Sequence, residues 1–343
     1  MVERLRDALE PSTASRAEQI LDPAGTKEEL RSVFLVLTAK VACLNVALTM
    51  PGRQQPRKYD VRSIAPAELT IHEEIARGMF RVCRGTWKKR EGREIEVAIK
   101  IYEPSNTMPL KALGRNVQKN AKLQMDSSHQ NILQIFGICE QHMDHMNHVL
   151  LVSPFLRAGT LSWLLMPNKD VEEQRQRHAL LVDPSRPDIL AKLLYGTIAA
   201  LQHVHGRSPP IVHLDIKSDN ILLEEVPGPD FKPVLHDFDA ATEFHLYRSS
   251  MAASRTAGMG VQGTAAYMAP ERFEDAAGSK QPAADIFSFG ILISECISLQ
   301  RPFQNLGPLQ VMKKITDGER PTLVKTAQLY HESYAKLAEG CWC

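Results

Sequence analysis

Apolar residues fall on nearly every helical face of residues 30–50. Just upstream, Thr26, followed three residues later by Glu29, forms a capping-box start. A helix apolar all round has to be covered. The pattern therefore predicts one that packs on the rest of the chain, on a partner or on a second copy. Residues 51–58, with two prolines, a glycine and basic side chains, predict a linker that ends it. Beyond residue 66 the texture changes. Residues 75–87 read as a strand hairpin and the apolar run 148–152 as a strand. Residues 168–186 are charged and polar, which predicts a solvated insertion, and 187–205 predict a long helix. Two short apolar runs, Ile211-Val212 and Ile221-Leu222-Leu223, predict short strands on either side of a polar stretch. The small, polar composition of 240–261 predicts a mobile loop.

Composition changes this picture little. The chain has 343 residues, 43% hydrophobic and 24% charged, with ample apolar material for a core. A formal net charge of +1 gives no general attraction to nucleic acid or to a membrane surface, and neither is expected as a partner. Cys43, Cys83, Cys139, Cys296, Cys341 and Cys343 lack metal-ligand spacing and read as structural thiols of a reducing compartment. The most apolar run, 33–48, carries Lys40 and Asn45 and falls short of the ~20 residues a membrane span needs. No signal peptide pattern is present, so a cytoplasmic protein is expected.

The candidate chemistry lies in five motifs. In Ile211-Val212-His213-Leu214-Asp215-Ile216-Lys217-Ser218-Asp219-Asn220, an Asp is followed by a Lys two residues on and an Asn five residues on. Upstream lies Glu96-Val97-Ala98-Ile99-Lys100; downstream come His236-Asp237-Phe238-Asp239, Gly263-Thr264-Ala265-Ala266-Tyr267-Met268-Ala269-Pro270-Glu271 and Asp285-Ile286-Phe287-Ser288-Phe289-Gly290. In this order they resemble the motifs of the protein kinase family over roughly residues 68–343, and phrases such as Gly137-Ile138-Cys139 resemble the tyrosine-kinase-like group of Ser/Thr kinases. The resemblance implies an α+β, two-lobed protein-kinase fold. A small antiparallel β-sheet lobe would span 67–153 and a larger, mainly helical lobe 158–343, preceded over 1–66 by an N-terminal helical extension and linker. It also implies ATP and Mg²⁺ as cofactors and a protein substrate. Asp215 would accept the proton of a substrate hydroxyl and Lys217 would steady the γ-phosphate. Asn220 and Asp237 would hold metal, Lys100 would orient the α- and β-phosphates, and Val82, Ala98, Phe155 and Leu222 would enclose the adenine.

The small lobe departs from the family pattern. Its nucleotide-covering loop should carry three glycines. Aligned back from Trp87 none is Gly, and aligned on Gly78 one survives in a hairpin one residue short. Arg77 and Arg81 are then candidates for supplying charge in place of backbone donors. Nine residues before His129-Gln130-Asn131-Ile132 stands Asn120, where the family has a Glu paired with the strand lysine, and no Glu occurs between Glu103 and Glu140. Breaking such a pair costs about 3–5 kcal/mol, or about 10²–10³ in rate, part of which a bond from Asn120 to Lys100 could recover. Gln124 stands where the hydrophobic spine has Met or Leu. Ser153 is the gatekeeper, a small one that leaves space behind the cleft. Leu214 replaces the Arg that docks a phosphorylated activation segment, leaving Tyr247, Ser249, Ser250, Ser254 and Thr256 without that switch. Asp239 replaces a Gly and is expected to face water. The Arg that pairs with the position of Glu271 has no counterpart, which predicts a partly buried charge without its mate. Two readings stand: a Ser/Thr kinase, weak or dependent on a partner held by the N-terminal helix, or a pseudokinase that uses the fold as a binding scaffold.

Overall fold

A computed structural model describes residues 61–243 and 264–342, apart from 79, 90–91, 106–107, 184, 187, 229, 275–280, 325–328 and 330. The predicted helix of 30–50, its linker, and residues 244–261 with their five hydroxyl side chains lie outside the described residues.

The first unit is a five-stranded antiparallel sheet, in the order β1-β2-β3-β5-β4. Its strands are β1 (Leu69–Arg77), β2 (Arg81–Lys88), β3 (Glu94–Tyr102), β4 (Gly137–Met143) and β5 (Met146–Pro154). Strand alternation sorts the residues of β3. Val97, Ile99 and Ile101 are buried in a core with Cys83, Trp87, Leu150 and Val152, and Ala98 and Lys100 point to the opposite face, half-buried. Gly85 is required where β1 crosses β2, because a Cβ there would lie 2.5 Å from the Thr70 carbonyl and 2.5 Å from Ile99. Helix α1 (Leu110–Asp126) buries Leu113, Val117, Ala121 and Gln124, a spacing of three or four that keeps one face on the sheet. Leu113 and Val117 meet Tyr102 and Val149 there.

The second unit is mainly helical: α2 (Leu161–Leu165), α3 (Glu172–Leu181), α4 (Asp188–His205), α5 (Glu271–Glu274), α6 (Pro282–Ser298), α7 (Pro308–Thr316) and α8 (Glu332–Cys341). Every residue of α6 except Ala283 is buried, so this helix runs through the core with α4 beside it and α8 packed on it. The last contact is very close. A Cβ on Gly290 would lie 2.7 Å from Cys341 Cβ and 2.7 Å from Trp342 Nε1. The two short apolar runs form β6 (Ile211–Val212), paired with β9 (Thr242–Glu243), and β7 (Ile221–Glu225), paired with β8 (Phe231–Leu235). The architecture is the expected α+β arrangement of a small antiparallel sheet lobe and a larger helical lobe.

Two local expectations are corrected. Residues 168–186 are not simply solvated. They contain α3, whose Leu181 enters the large core, whose His178 Nδ1 bonds the Leu164 carbonyl at 2.7 Å, and whose Arg177 pairs with Glu225 at 2.7 Å. The apolar end of this charged helix supplies the burial that its mean polarity conceals. The first residues of the predicted mobile loop are also ordered: Ala241 is buried, and Thr242–Glu243 add a strand to β6.

Candidate active site

The polar stretch between β6 and β7 brings Asp215, Lys217 and Asn220 together locally. Lys217 Nζ lies 2.7 Å from Asp215 Oδ2, and Asn220 Nδ2 donates to the same oxygen at 2.7 Å and to the Asp215 carbonyl at 2.7 Å. Asp285, fully buried near the start of α6, anchors this loop. It accepts from His213 N (2.8 Å), Leu214 N (2.7 Å) and His205 Nε2 (2.8 Å). Burial alone would raise the Asp285 carboxyl, but the hydrogen bond and charge of His205, with His213, hold it below the usual carboxylate range. The anchor is needed because Leu214 has φ 66°, a left-handed conformation that costs an L-residue with a bulky side chain about 1–2 kcal/mol. Arg272 Nη1 holds the other side of that residue, donating to the Leu214 carbonyl at 2.6 Å.

His213 joins this loop to the one bearing Asp237. Its Nε2 donates to the His236 carbonyl at 3.0 Å, its Nδ1 accepts from Asp215 N at 3.3 Å, and its ring meets Phe238 edge-on at 4.8 Å. Burial pushes the imidazole of His236 down to about 4, so it stands neutral beside Asp237. Asp237 is itself left-handed, φ 65° and ψ 69°, with its side chain capping the turn at Asp239. Below this loop a second network holds Asp219. Arg301 reaches it at 2.7 and 2.9 Å and also bonds Ser162 and Glu295, while Tyr267 and Ser218 donate to Glu295. Burial pushes the Glu295 carboxyl up to about 7 against the pull of Arg301.

Lys100, from β3, closes the site from the sheet side. Its ammonium lies 2.8 Å from Asp237 Oδ1 and 2.7 Å from Asp239 Oδ2. Burial opposes its charge, but the two carboxylates outweigh that and raise its pKa. Burial also works against both carboxylates. Lys100 holds Asp237 well below the usual range, and Asp239, which faces burial and the charge of Asp237 together, is pushed up.

Two expectations are overturned here. Asp239 does not face water: its carboxylate takes Lys100 and also Tyr102 Oη at 2.9 Å. Asn120 does not bond Lys100; its Nδ2 donates to the Asp239 carbonyl at 3.1 Å. The reason is shared. With Asn120 rather than a glutamate at this position of α1, the ammonium turns to the anions on the loop after β8. Gln124 is buried, and its Nε2 bonds the Leu133 carbonyl at 2.8 Å, so a polar group at this position is satisfied.

The hairpin tip also behaves differently from a glycine-rich cover. Phe80 lies 4.5 Å from the Tyr102 ring and 4.8 Å from Lys100 Nζ, giving the ammonium an aromatic neighbour. The arginines at the tip are engaged elsewhere, Arg77 with Glu74 at 2.6 Å and Arg81 near Asp144 at 3.7 Å. Val82, Ala98, Phe155 and Leu222 are each half-buried. Val82 pairs across the sheet with Lys100, Ala98 with the buried Ser153, and Leu222 bridges to Thr160. The Phe155 ring lies beneath the Arg84 guanidinium at 5.7 Å, and Arg84 is held by Glu73 and Glu96. Glu271 and the adjacent Arg272 are both half-buried, and burial lowers the Arg272 guanidinium against the pull of Asp285, Asp215 and Glu271.

The donor set fits a magnesium ion. Mg²⁺ takes hard oxygen ligands, usually one or two from the protein and the rest from phosphate and water. Asp237 keeps an oxygen clear of Lys100, and Asn220, whose amide nitrogen is used on Asp215, keeps its carbonyl oxygen. Among the described residues no group of three or more His, Cys, Asp or Glu is set to hold a metal without such help.

A sheet lysine paired with Asp237, next to a loop that groups Asp215, Lys217 and Asn220, is the arrangement that the resemblance to protein kinases implies. The chain belongs to the protein kinase family: the protein kinase domain model matches residues 69–343. Similar proteins include serine/threonine-protein kinase CTR1 of Arabidopsis thaliana, 27% identical over 82% of this chain and 30% of that protein. A probable LIM domain-containing serine/threonine-protein kinase of Dictyostelium discoideum is 27% identical over 82% of this chain and 37% of its own length. The mitogen-activated protein kinase kinase kinase of Drosophila melanogaster is 27% identical over 87% of this chain and 22% of its own length. The chain spans about a third of the length of the first two of these relatives. No helix among the described residues is long and apolar enough to cross a membrane.

Proposed function

We propose that this chain transfers the γ-phosphate of Mg-ATP to Ser or Thr hydroxyls of protein substrates. The observation that carries the reading is the preorganised trio of Asp215, Lys217 and Asn220, held in a strained loop by a buried carboxylate. Energy stored in a left-handed Leu214 is spent on aiming Asp215. In this role Asp215 receives the hydroxyl proton, and Lys217 offers positive charge to the phosphoryl group. Asn220 and Asp237 would hold Mg²⁺, which supplies neutralisation of the phosphate charge. Lys100 would orient the α- and β-phosphates. Val82, Ala98, Phe155 and Leu222 offer apolar surface to the adenine, with ATP entering beneath the hairpin tip.

The rival reading is a pseudokinase scaffold. It is favoured by Asn120 standing on α1 where the family has a glutamate and by Phe80 lying against Lys100. One comparison separates the two: transfer of labelled γ-phosphate to generic Ser/Thr substrates by the full chain and by its Asp215→Asn variant. Transfer that disappears in the variant is the expected result. No transfer from either, with both proteins folded and Mg-ATP in excess, would leave the scaffold.

A further inference from the structure

The family pattern leaves Lys100 without its helix carboxylate, yet the ammonium is fully engaged. We infer that Asp239 replaces the missing helix glutamate as the resident counter-ion of Lys100 and is a positioning residue for the phosphate-binding lysine. This rests on the proposed kinase reading only for its consequence in catalysis; the pairing itself does not.

Three observations converge on it. First, Asp239 Oδ2 is 2.7 Å from Lys100 Nζ, as close as Asp237 at 2.8 Å. Second, Asp239 is itself held at three points. Tyr102 Oη donates to both its oxygens (2.9 and 3.1 Å), Asn120 Nδ2 donates to its carbonyl (3.1 Å), and its amide donates toward Asp237 Oδ1 (3.4 Å). A side chain merely filling a glycine position would not be expected to collect this support. Third, Tyr102 lies two residues beyond Lys100 on the same strand and so on the same face, where it orients the carboxylate that receives the lysine. The logic is one of division of labour. A lysine paired only with Asp237 would compete with metal for that carboxylate. A second anion lets Asp237 serve the cation while Asp239 keeps the ammonium in place. Asn120 then makes sense as an amide: it ties α1 to the Asp239 backbone, where a glutamate at that position would add a third negative charge beside the pair.

The test compares the full chain with Asp239→Asn, Asp239→Gly and the double variant Asn120→Glu/Asp239→Gly. The first readout needs no nucleotide. Folded protein is treated with a small amount of acetic anhydride at neutral pH, and acetylation of Lys100 is quantified by peptide mass spectrometry against exposed Lys111. Only the free amine reacts, and loss of one counter-ion loosens the ammonium. Lys100 should therefore label about tenfold faster in both single variants, the equivalent of ~1.4 kcal/mol, and should return toward the wild-type rate in the double variant. The second readout is γ-phosphate transfer, which should fall by about 10²–10³-fold in the single variants and recover at least in part when Glu is restored on α1. Asp239→Asn is isosteric and answers the question if the glycine variant does not fold. Unchanged Lys100 labelling in Asp239→Asn would overturn the assignment. So would a rise in transfer, since Asp239 would then be restraining the lysine. If no protein transfers phosphate but the labelling pattern appears, the counter-ion assignment stands and the kinase reading falls. If wild-type transfer is present and Asp239→Asn leaves it unaltered, the reverse holds.

Discussion

The buried carboxylate of Asp285 offers a sharp test of how the active loop is held. Asp285→Ala removes the acceptor of three donors, His213 N, Leu214 N and His205 Nε2, none of which has water within reach in so buried a place. Each orphaned buried donor costs about 1–3 kcal/mol. The His205 ring can turn away and the carboxylate's own desolvation is relieved, so the two backbone amides set the net cost at about 3–5 kcal/mol. In a domain of this size each kcal/mol moves Tm by about 2–4 °C, so a fall of roughly 6–20 °C is expected in calorimetry or in a fluorescence melt. Function should suffer further. Leu214 at φ 66° would be left with only Arg272 to hold it, and relaxation toward a right-handed conformation would carry Asp215 with it. Phosphate transfer measured well below the new Tm should therefore fall by more than the unfolded fraction explains. Asp285→Asn, which keeps one oxygen, should lie between the two proteins in both measurements. A Tm within 2 °C of wild type for Asp285→Ala would refute the reasoning, because it would mean that the loop amides find other partners.

Other outcomes follow from single contacts. Gly290→Ala would place a methyl 2.7 Å from Cys341 and from Trp342; overpacking should cost about 1–3 kcal/mol, outweighing the ~1 kcal/mol that Ala otherwise gains in a helix, and a raised Tm would contradict it. Glu295 has a folded pKa of about 7 against an ordinary 4.5. Its contribution is therefore fully present below pH 4.5 and lost as pH rises through 7, about 3 kcal/mol in all. Urea unfolding of wild type and Glu295→Gln at pH 5 and pH 8 should show the wild type losing more stability over that window, and parallel curves would count against a buried, proton-binding Glu295. Gln124→Ala should cost about 1–3 kcal/mol by leaving the Leu133 carbonyl unpaired in the core, read as a lower urea midpoint; no change would mean that the carbonyl reaches water.

Some of this molecule is legible along the chain because the interactions are short in sequence. Asp215, Lys217 and Asn220 lie within six residues, and their mutual bonds need only a turn between two short strands, which the apolar runs 211–212 and 221–223 foretell. The motif Asp285–Gly290 likewise marks an Asp that, at the head of a buried helix, has to find donors. Residues that support the loop from elsewhere are not legible in this way. His213, Tyr102, Arg272 and Arg301 stand in ordinary surroundings, and only their packing gives them roles. The polar helix α3 was hidden by its own charge, because one buried leucine and one histidine bond are too weak a signal in a window of ten residues.

By itself, then, the chain determined a two-lobed kinase architecture and the local grouping of Asp215, Lys217 and Asn220, since motif order and local spacing fix what a loop can present. It also determined that α1 lacks a glutamate. What replaces that glutamate was a matter for tertiary structure alone. Lys100 and Asp239 are 139 residues apart, and their meeting depends on how the loop after β8 seats against β3 and α1. A charge taken out of water settles on whichever anion the packing brings within 3 Å, and the distance between two residues along the chain carries no information about that.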